Sequence, residues 1–170
     1  GTSRGLGDVY KRQVGSVRGT PKDFDENVRI INNLCEDLGG SCVLLNGVKG
    51  GLLESNTFLR SGSRTNQNVS VTRGSGAWFF RSRDIIAQFN AAIGSRGHND
   101  SSGLHVDFGN KSVLVQYNFF YDNEGYGTEI LGKNDNVIWR YNVSVGDGTR
   151  VARVDRPCLL YTSPSPRDVP

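Results

Sequence analysis

The sequence predicts an all-β chain wound as a parallel solenoid of about five coils, and three observations carry that expectation. A short apolar pattern ending in asparagine occurs five times: NVRIINN at Asn33, GGLLESN at Asn56, DIIAQFN at Asn90, SVLVQYN at Asn118 and NVIWRYN at Asn142. Its intervals are 23, 34, 28 and 24 residues. A second apolar segment follows a glycine in each unit, as in Ser41 to Leu45, Ala77 to Phe80, Leu104 to Phe108 and Thr128 to Leu131. Glycine supplies 22 of 170 residues, nearly twice its usual share, which implies many turns. Apolar residues alternate with polar ones instead of recurring at a helical period.

Such a unit cannot bury its apolar side alone, so copies must stack, and 23 residues suffice for one coil of three short strands. The repeated asparagines read as a ladder. Asn tolerates the left-handed backbone of a sharp bend, and its amide can bond to the equivalent amide one coil away, about 4.8 Å along the axis. Asn33, Asn56, Asn90, Asn118 and Asn142 are therefore expected to be structural.

The ends read differently. Ser3 to Gln13 is SRGLGDVYKRQ and Cys158 to Asp168 is CLLYTSPSPRD. With suitable codons each string is the reverse complement of the other offset by one base, and the shared sequence resembles the transposase adapter of sequencing libraries. Residues 1–13 and 158–170 are accordingly expected to be adapter-derived, non-native tails. Residues 14–26, with Pro21 and the acids Asp23, Asp25 and Glu26, read as a connector, leaving 27–157 as a solenoid truncated at both ends. The chain contains no methionine, in keeping with an internal piece. The remainder of the same polypeptide is expected to cap both open coil ends.

Four of the 20 basic residues (Arg4, Lys11, Arg12, Arg167) and two of the 17 acids (Asp8, Asp168) lie in those tails, leaving 16 against 15. A near-neutral body without a Lys/Arg run argues against nucleic acid as a partner. No apolar run approaches the roughly 20 residues of a membrane span. Of three cysteines Cys158 is in a tail, and Cys35 and Cys42 read as two small buried thiols, with a disulfide as the alternative.

The stretch Gly103 to Gly127, GLHVDFGNKSVLVQYNFFYDNEGYG, followed by WRYNVSVGDG, resembles a group of exported bacterial β-helix repeat proteins. Relatives there read like D-I-D-F, then V-Q-Y-N-Y-S-H-D-N-E-G-G, then V-R-Y-N-I-S-x-N-D-G. The resemblance covers Asn27 to Arg150 and implies a right-handed parallel β-helix of the pectate-lyase-like superfamily, exported to the cell surface or beyond. Leu104 and His105 replace residues that are often aromatic and acidic there, and Phe120 and Tyr121 replace small residues or His. The fold hosts lyases, hydrolases and adhesins alike, so function has to come from the site.

Alternation sorts the outward residues. Leu104, Val106 and Phe108 are expected inside, with His105 and Asp107 outside; Thr128 and Ile130 inside, with Glu129 and Leu131 outside. With Gly76, Gly103 and Gly127 in register, Trp78, His105 and Glu129 form a row on one sheet, with Asp107 alongside. Glu54, Gln88, Gln116 and Arg140 form a polar row on another, read first as a solvated face with cross-strand pairing. Asp122, Asn123 and Glu124 occupy a turn.

An open, side-chain-lined groove suits a polysaccharide. Hydrolysis needs two carboxylates flanking the bond, for which Asp107, Asp122, Glu124 and Glu129 are candidates, with Asp107 the first choice and His105 in support. A lyase needs a base and a cation, for which Asp107 and Glu129 could hold calcium beside Lys111, His105 or Arg140. Trp78, Arg140, Gln116 and Lys111 are candidate substrate contacts. His98 and His105, with Asp100 and Asp107, suggest transition-metal ligation only weakly beside a reading as ordinary polar groups. The alternative from another class is a non-catalytic surface, adhesin or structural module.

Overall fold

In the computed structural model, which describes residues 24–63, 73–97 and 100–148 and the strand backbones Gln13–Val14 and Leu159–Leu160, the chain is a parallel β-solenoid. The described residues contain no helix. The first sheet stacks Gln13–Val14, Val43–Asn46, Ala77–Phe80, Leu104–Val106 and Thr128–Ile130, all parallel, and ends on Leu159–Leu160, which pairs antiparallel. The second stacks the pair Asp25–Glu26 and Arg29–Ile31, then Val48–Glu54, Arg83–Gln88, Lys111–Gln116 and Asp135–Arg140. The third stacks Leu34–Glu36, Thr57–Leu59, Ala91–Ile93, Phe119–Tyr121 and Val143–Val145. Five rungs enclose about four complete turns, compatible with the expected coil number.

The repeated asparagines align as a column. Asn56 Oδ1 accepts from both the backbone N and the Nδ2 of Asn33, and the same double bond recurs from Asn56 to Asn90, Asn90 to Asn118 and Asn118 to Asn142, at 2.9–3.0 Å. Each Nδ2 also reaches a strand carbonyl, Leu53 O for Asn90 and Ala87 O for Asn118. From Asn56 to Asn142 the column is buried, where its amides pair the corner's backbone groups away from water. One detail departs from expectation. The left-handed residue is not the ladder Asn but the one before it: Asn32, Ser55, Phe89, Tyr117 and Tyr141 all have φ of 53–56°. The amide is thus freed from making the bend and spans the rungs instead.

The other two corners carry shorter ladders. Asn110 Oδ1 accepts from Ser82 N, and Asn134 Oδ1 from Asn110 N. Asn123 Oδ1 accepts from Ser95 N, and Asp147 Oδ1 from Asn123 N. Both series step by 28 and then 24 residues, the intervals that separate Asn90, Asn118 and Asn142.

Inside the coil, Leu45, Phe79, Leu104 and Val106 from the first sheet meet Leu53, Ile85, Ala87, Val113 and Val115 from the second and Phe58, Ala92 and Phe120 from the third. Two inward and outward assignments are corrected. Phe108 is exposed and Leu131 is buried. Their strands stop at Val106 and Ile130, so alternation no longer governs the residues beyond, and Phe108 sits in a turn with Gly109 at φ 76°.

Cys35 and Cys42 are also corrected: they form a disulfide, with Cα atoms 6.1 Å apart. Cys35 points inward from the first rung of the third sheet, and Cys42 enters the first-sheet strand at Val43, so the solenoid brings together residues only 7 apart in sequence. Closing so short a loop restricts the unfolded chain by about 2–3 kcal/mol. Reduction by dithiothreitol is expected to lower the midpoint of urea unfolding accordingly, and a Cys35→Ser variant is expected to show no further loss on reduction.

Candidate functional site

The outer row of the first sheet forms in the expected register: Trp78 pairs with His105 and His105 with Glu129 on successive rungs. Their neighbours Ala77, Phe79, Leu104 and Val106 fill the core, so the row points away from it. Facing outward does not make it open. His105 is only 1% exposed, and Trp78 is buried beside it, the two rings 4.4 Å apart and tilted by 50°. The Arg73 guanidinium lies 5.4 Å from the centre of the indole.

Burial pushes the His105 imidazole down to about 3, and the charge of Arg73 acts in the same direction. The ring is neutral at pH 7. Its Nδ1 lies 3.9 Å from Glu129 Oε2, a contact between a neutral ring and a carboxylate and not an ion pair. Both ring nitrogens lack a hydrogen-bond partner. Asp100, at the entry to this coil, adds its carboxylate to the same cluster, and Ser102 Oγ donates to Glu129 Oε2 at 3.1 Å.

The remaining acids are dispersed. Asp107 lies just past its strand and accepts from Phe108 N at 2.8 Å; it is not a member of the group that contains Glu129. Asp122 pairs with Arg96 at 2.6 Å, with Arg96 also bonded to the Asp122 carbonyl, and Glu124 accepts from Gly97 N at 3.1 Å. These two carboxylates brace the turn after the third-sheet strand. Asn123 between them is a rung of a corner ladder.

On the second sheet the polar row is a closed relay. Arg140 donates to Gln116, Gln116 to Gln88 and Gln88 to Glu54. Lys111 pairs with Asp135 of the next rung at 3.4 Å on an exposed surface. Four of the expected substrate contacts therefore divide among a buried row (Trp78), a self-bonded row (Arg140 and Gln116) and a surface ion pair (Lys111). The His98 part of the suggested metal set lies outside the described residues.

The corner between the second and third sheets shows a feature that sequence reading did not single out. Phe89, Tyr117 and Tyr141 stack at 5.4 and 5.1 Å with nearly parallel rings, and all three are exposed, Tyr141 by 65%. Phe119 and Tyr121 lie parallel beside them on the outer face, continued by Val143 and Val145. A signal for the column was present: each member stands immediately before a ladder Asn.

No family model, curated protein or solved structure matches this chain. Its chemistry rests on the geometry alone. Among the described residues, the buried His105 cluster groups nitrogen and oxygen donors, and the exposed aromatic face presents apolar area with hydroxyl tips. Among the described residues no helix is long and apolar enough to cross a membrane.

Proposed function

We propose that this chain is a glycan-binding segment of an exported bacterial β-helix protein, similar to the pectate-lyase-like superfamily, that acts at the cell surface or beyond. The observation that carries this reading is the exposed aromatic column on consecutive rungs, Phe89, Tyr117 and Tyr141, flanked by Phe119 and Tyr121. Sugar rings present apolar C–H faces and hydroxyl edges, and tyrosine supplies both an apolar ring and a polar tip to meet them. A strip that climbs the solenoid axis one aromatic per coil suits an extended polymer better than a compact ligand. Contiguous exposed apolar area of this kind marks interaction surfaces.

Binding is favoured over cleavage within this segment. Asp107, Asp122 and Glu124 each accept from a donor of the coil at or beside a turn, and Glu129 lies in the buried His105 cluster, away from the exposed rings.

Affinity electrophoresis through gels containing polygalacturonate, alginate, xylan or mixed-linkage glucan tests the reading. At least one polymer is expected to retard the chain, and the double variant Tyr117→Asn, Tyr141→Asn is expected to weaken that retardation about tenfold or more. Asparagine accepts the left-handed backbone at both positions, so the variant keeps the fold. Free migration in every gel, or retardation unchanged in the variant, would reject the proposal. Release of unsaturated uronate product during the same runs would instead restore the lyase.

A further inference from the structure

Two carboxylates and a histidine converge on the outer side of the first sheet, and the histidine has no hydrogen-bond partner. Asp100, His105 and Glu129 each present one ligand atom, and these atoms all lie within 4.8 Å of one another. His105 and Glu129 are held there by direct rung-to-rung pairing. Asp100 is brought in by its bridge to Arg73.

The imidazole is the decisive member. It is almost completely buried, yet neither nitrogen meets a protein donor or acceptor. A buried polar group without a partner is rare in native structures and calls for an explanation such as a bound ion. We infer that Asp100, His105 and Glu129 form a three-ligand site for a divalent transition metal of the zinc type.

The donor set selects the metal class. One nitrogen and carboxylate oxygens suit zinc and its first-row neighbours, whereas calcium takes oxygen ligands alone. At zinc bond lengths near 2.1 Å, ligand atoms in a tetrahedral shell lie about 3.4 Å apart. The His105–Glu129 separation of 3.9 Å and the 4.8 Å limit for the set need only small side-chain rotations to close on an ion.

The surroundings fit as well. Ser102 Oγ holds a Glu129 oxygen at 3.1 Å, the kind of outer contact that orients a metal-binding carboxylate. Trp78 packs on the imidazole and limits its rotation. Arg73, 3.7 Å from one Asp100 oxygen, offsets part of the charge of two neighbouring carboxylates and leaves a net negative site for a dication. Three protein ligands leave a fourth tetrahedral position for water or a ligand group. This site is independent of the aromatic face and of any glycan bound there.

Chelator-treated chain titrated with zinc chloride, followed by calorimetry and by thermal melting, tests the assignment. One zinc per chain is expected, at micromolar affinity or tighter, with a raised melting temperature and no competition from calcium. Cobalt(II) is expected to give the intense visible bands of a tetrahedral site. His105→Gln is expected to abolish saturable binding and Ser102→Ala to weaken it about tenfold, while Asp107→Asn and a substitution of the chain's other histidine leave it unchanged. Should His105→Gln fail to fold, Glu129→Gln supplies the same comparison, with the His105 ring nitrogen shifts in wild-type protein reporting coordination. Absence of saturable zinc binding, zinc binding retained at full strength without His105 or Glu129, or ring nitrogens that do not shift on titration would overturn the site.

Discussion

Asn118→Asp is expected to destabilise the solenoid by about 3–5 kcal/mol, although the two side chains have the same shape. The Asn118 Nδ2 donates to Ala87 O, Gln116 O and Asn142 Oδ1, all within 3.0 Å, in a corner that is almost fully buried. The substitution removes the donor and sets an acceptor against those three oxygens. Either a charge is buried or the new carboxyl takes up a proton, and neither state restores all three bonds. Its other oxygen can still accept from Asn90 N and Nδ2, so the loss is confined to one side of the rung. Asn33→Asp, at the first and only part-buried rung, is expected to cost markedly less. Urea unfolding of both variants measures the difference, and an Asn118→Asp protein within about 1 kcal/mol of wild type would show that the ladder is not a major source of stability.

Gly103→Ala is expected to cost about 2–3 kcal/mol through crowding alone. The backbone of Gly103 has no unusual φ, so the glycine is needed for space and not for conformation. An added Cβ would lie 2.6 Å from Phe120 Cδ1 and 2.7 Å from Gly127 O. The phenylalanine ring could shift, but the carbonyl belongs to the next rung and is fixed by its bond from Leu104 N at 2.9 Å. Trimming the ring with Phe120→Leu is therefore expected to recover only part of the loss. Gly132→Ala, where the new atom meets nothing within 4 Å, is expected to unfold at or slightly above the wild-type midpoint. Equal midpoints for Gly103→Ala and Gly132→Ala would remove the crowding argument.

The fold was legible because a solenoid writes its period into the chain. Each ladder Asn must bond to its equivalent on the next rung, so residue type recurs at every turn whatever the length of the intervening loops. The two further corner ladders were legible by the same rule, since Ser82, Asn110 and Asn134 repeat the spacing of Asn90, Asn118 and Asn142, but Ser, Asn and Asp share the role and blur the pattern. The aromatic column was harder to see. Position −1 of the ladder holds Asn32, Ser55, Phe89, Tyr117 and Tyr141, and nothing in that series states that three rings stack outside the coil.

The row Trp78, His105, Glu129 marks the boundary between the two kinds of knowledge. Alternation and register follow from the chain, because neighbouring side chains on a strand must face opposite sides and glycines align the rungs. Exposure does not follow from alternation. A residue facing away from one core can still be covered by segments distant in sequence, as His105 is beside Arg73 and Asp100, and only the three-dimensional arrangement specifies that cover. The disulfide has the same origin: Cys35 and Cys42 meet because the first turn closes there. Sequence alone determined the period, the strands and the ladder, since these are set by local patterning repeated at every rung. Tertiary structure decided which outward groups are buried, which acids pair off and which rings remain open to a ligand, because those depend on contacts made once, between segments no periodicity connects.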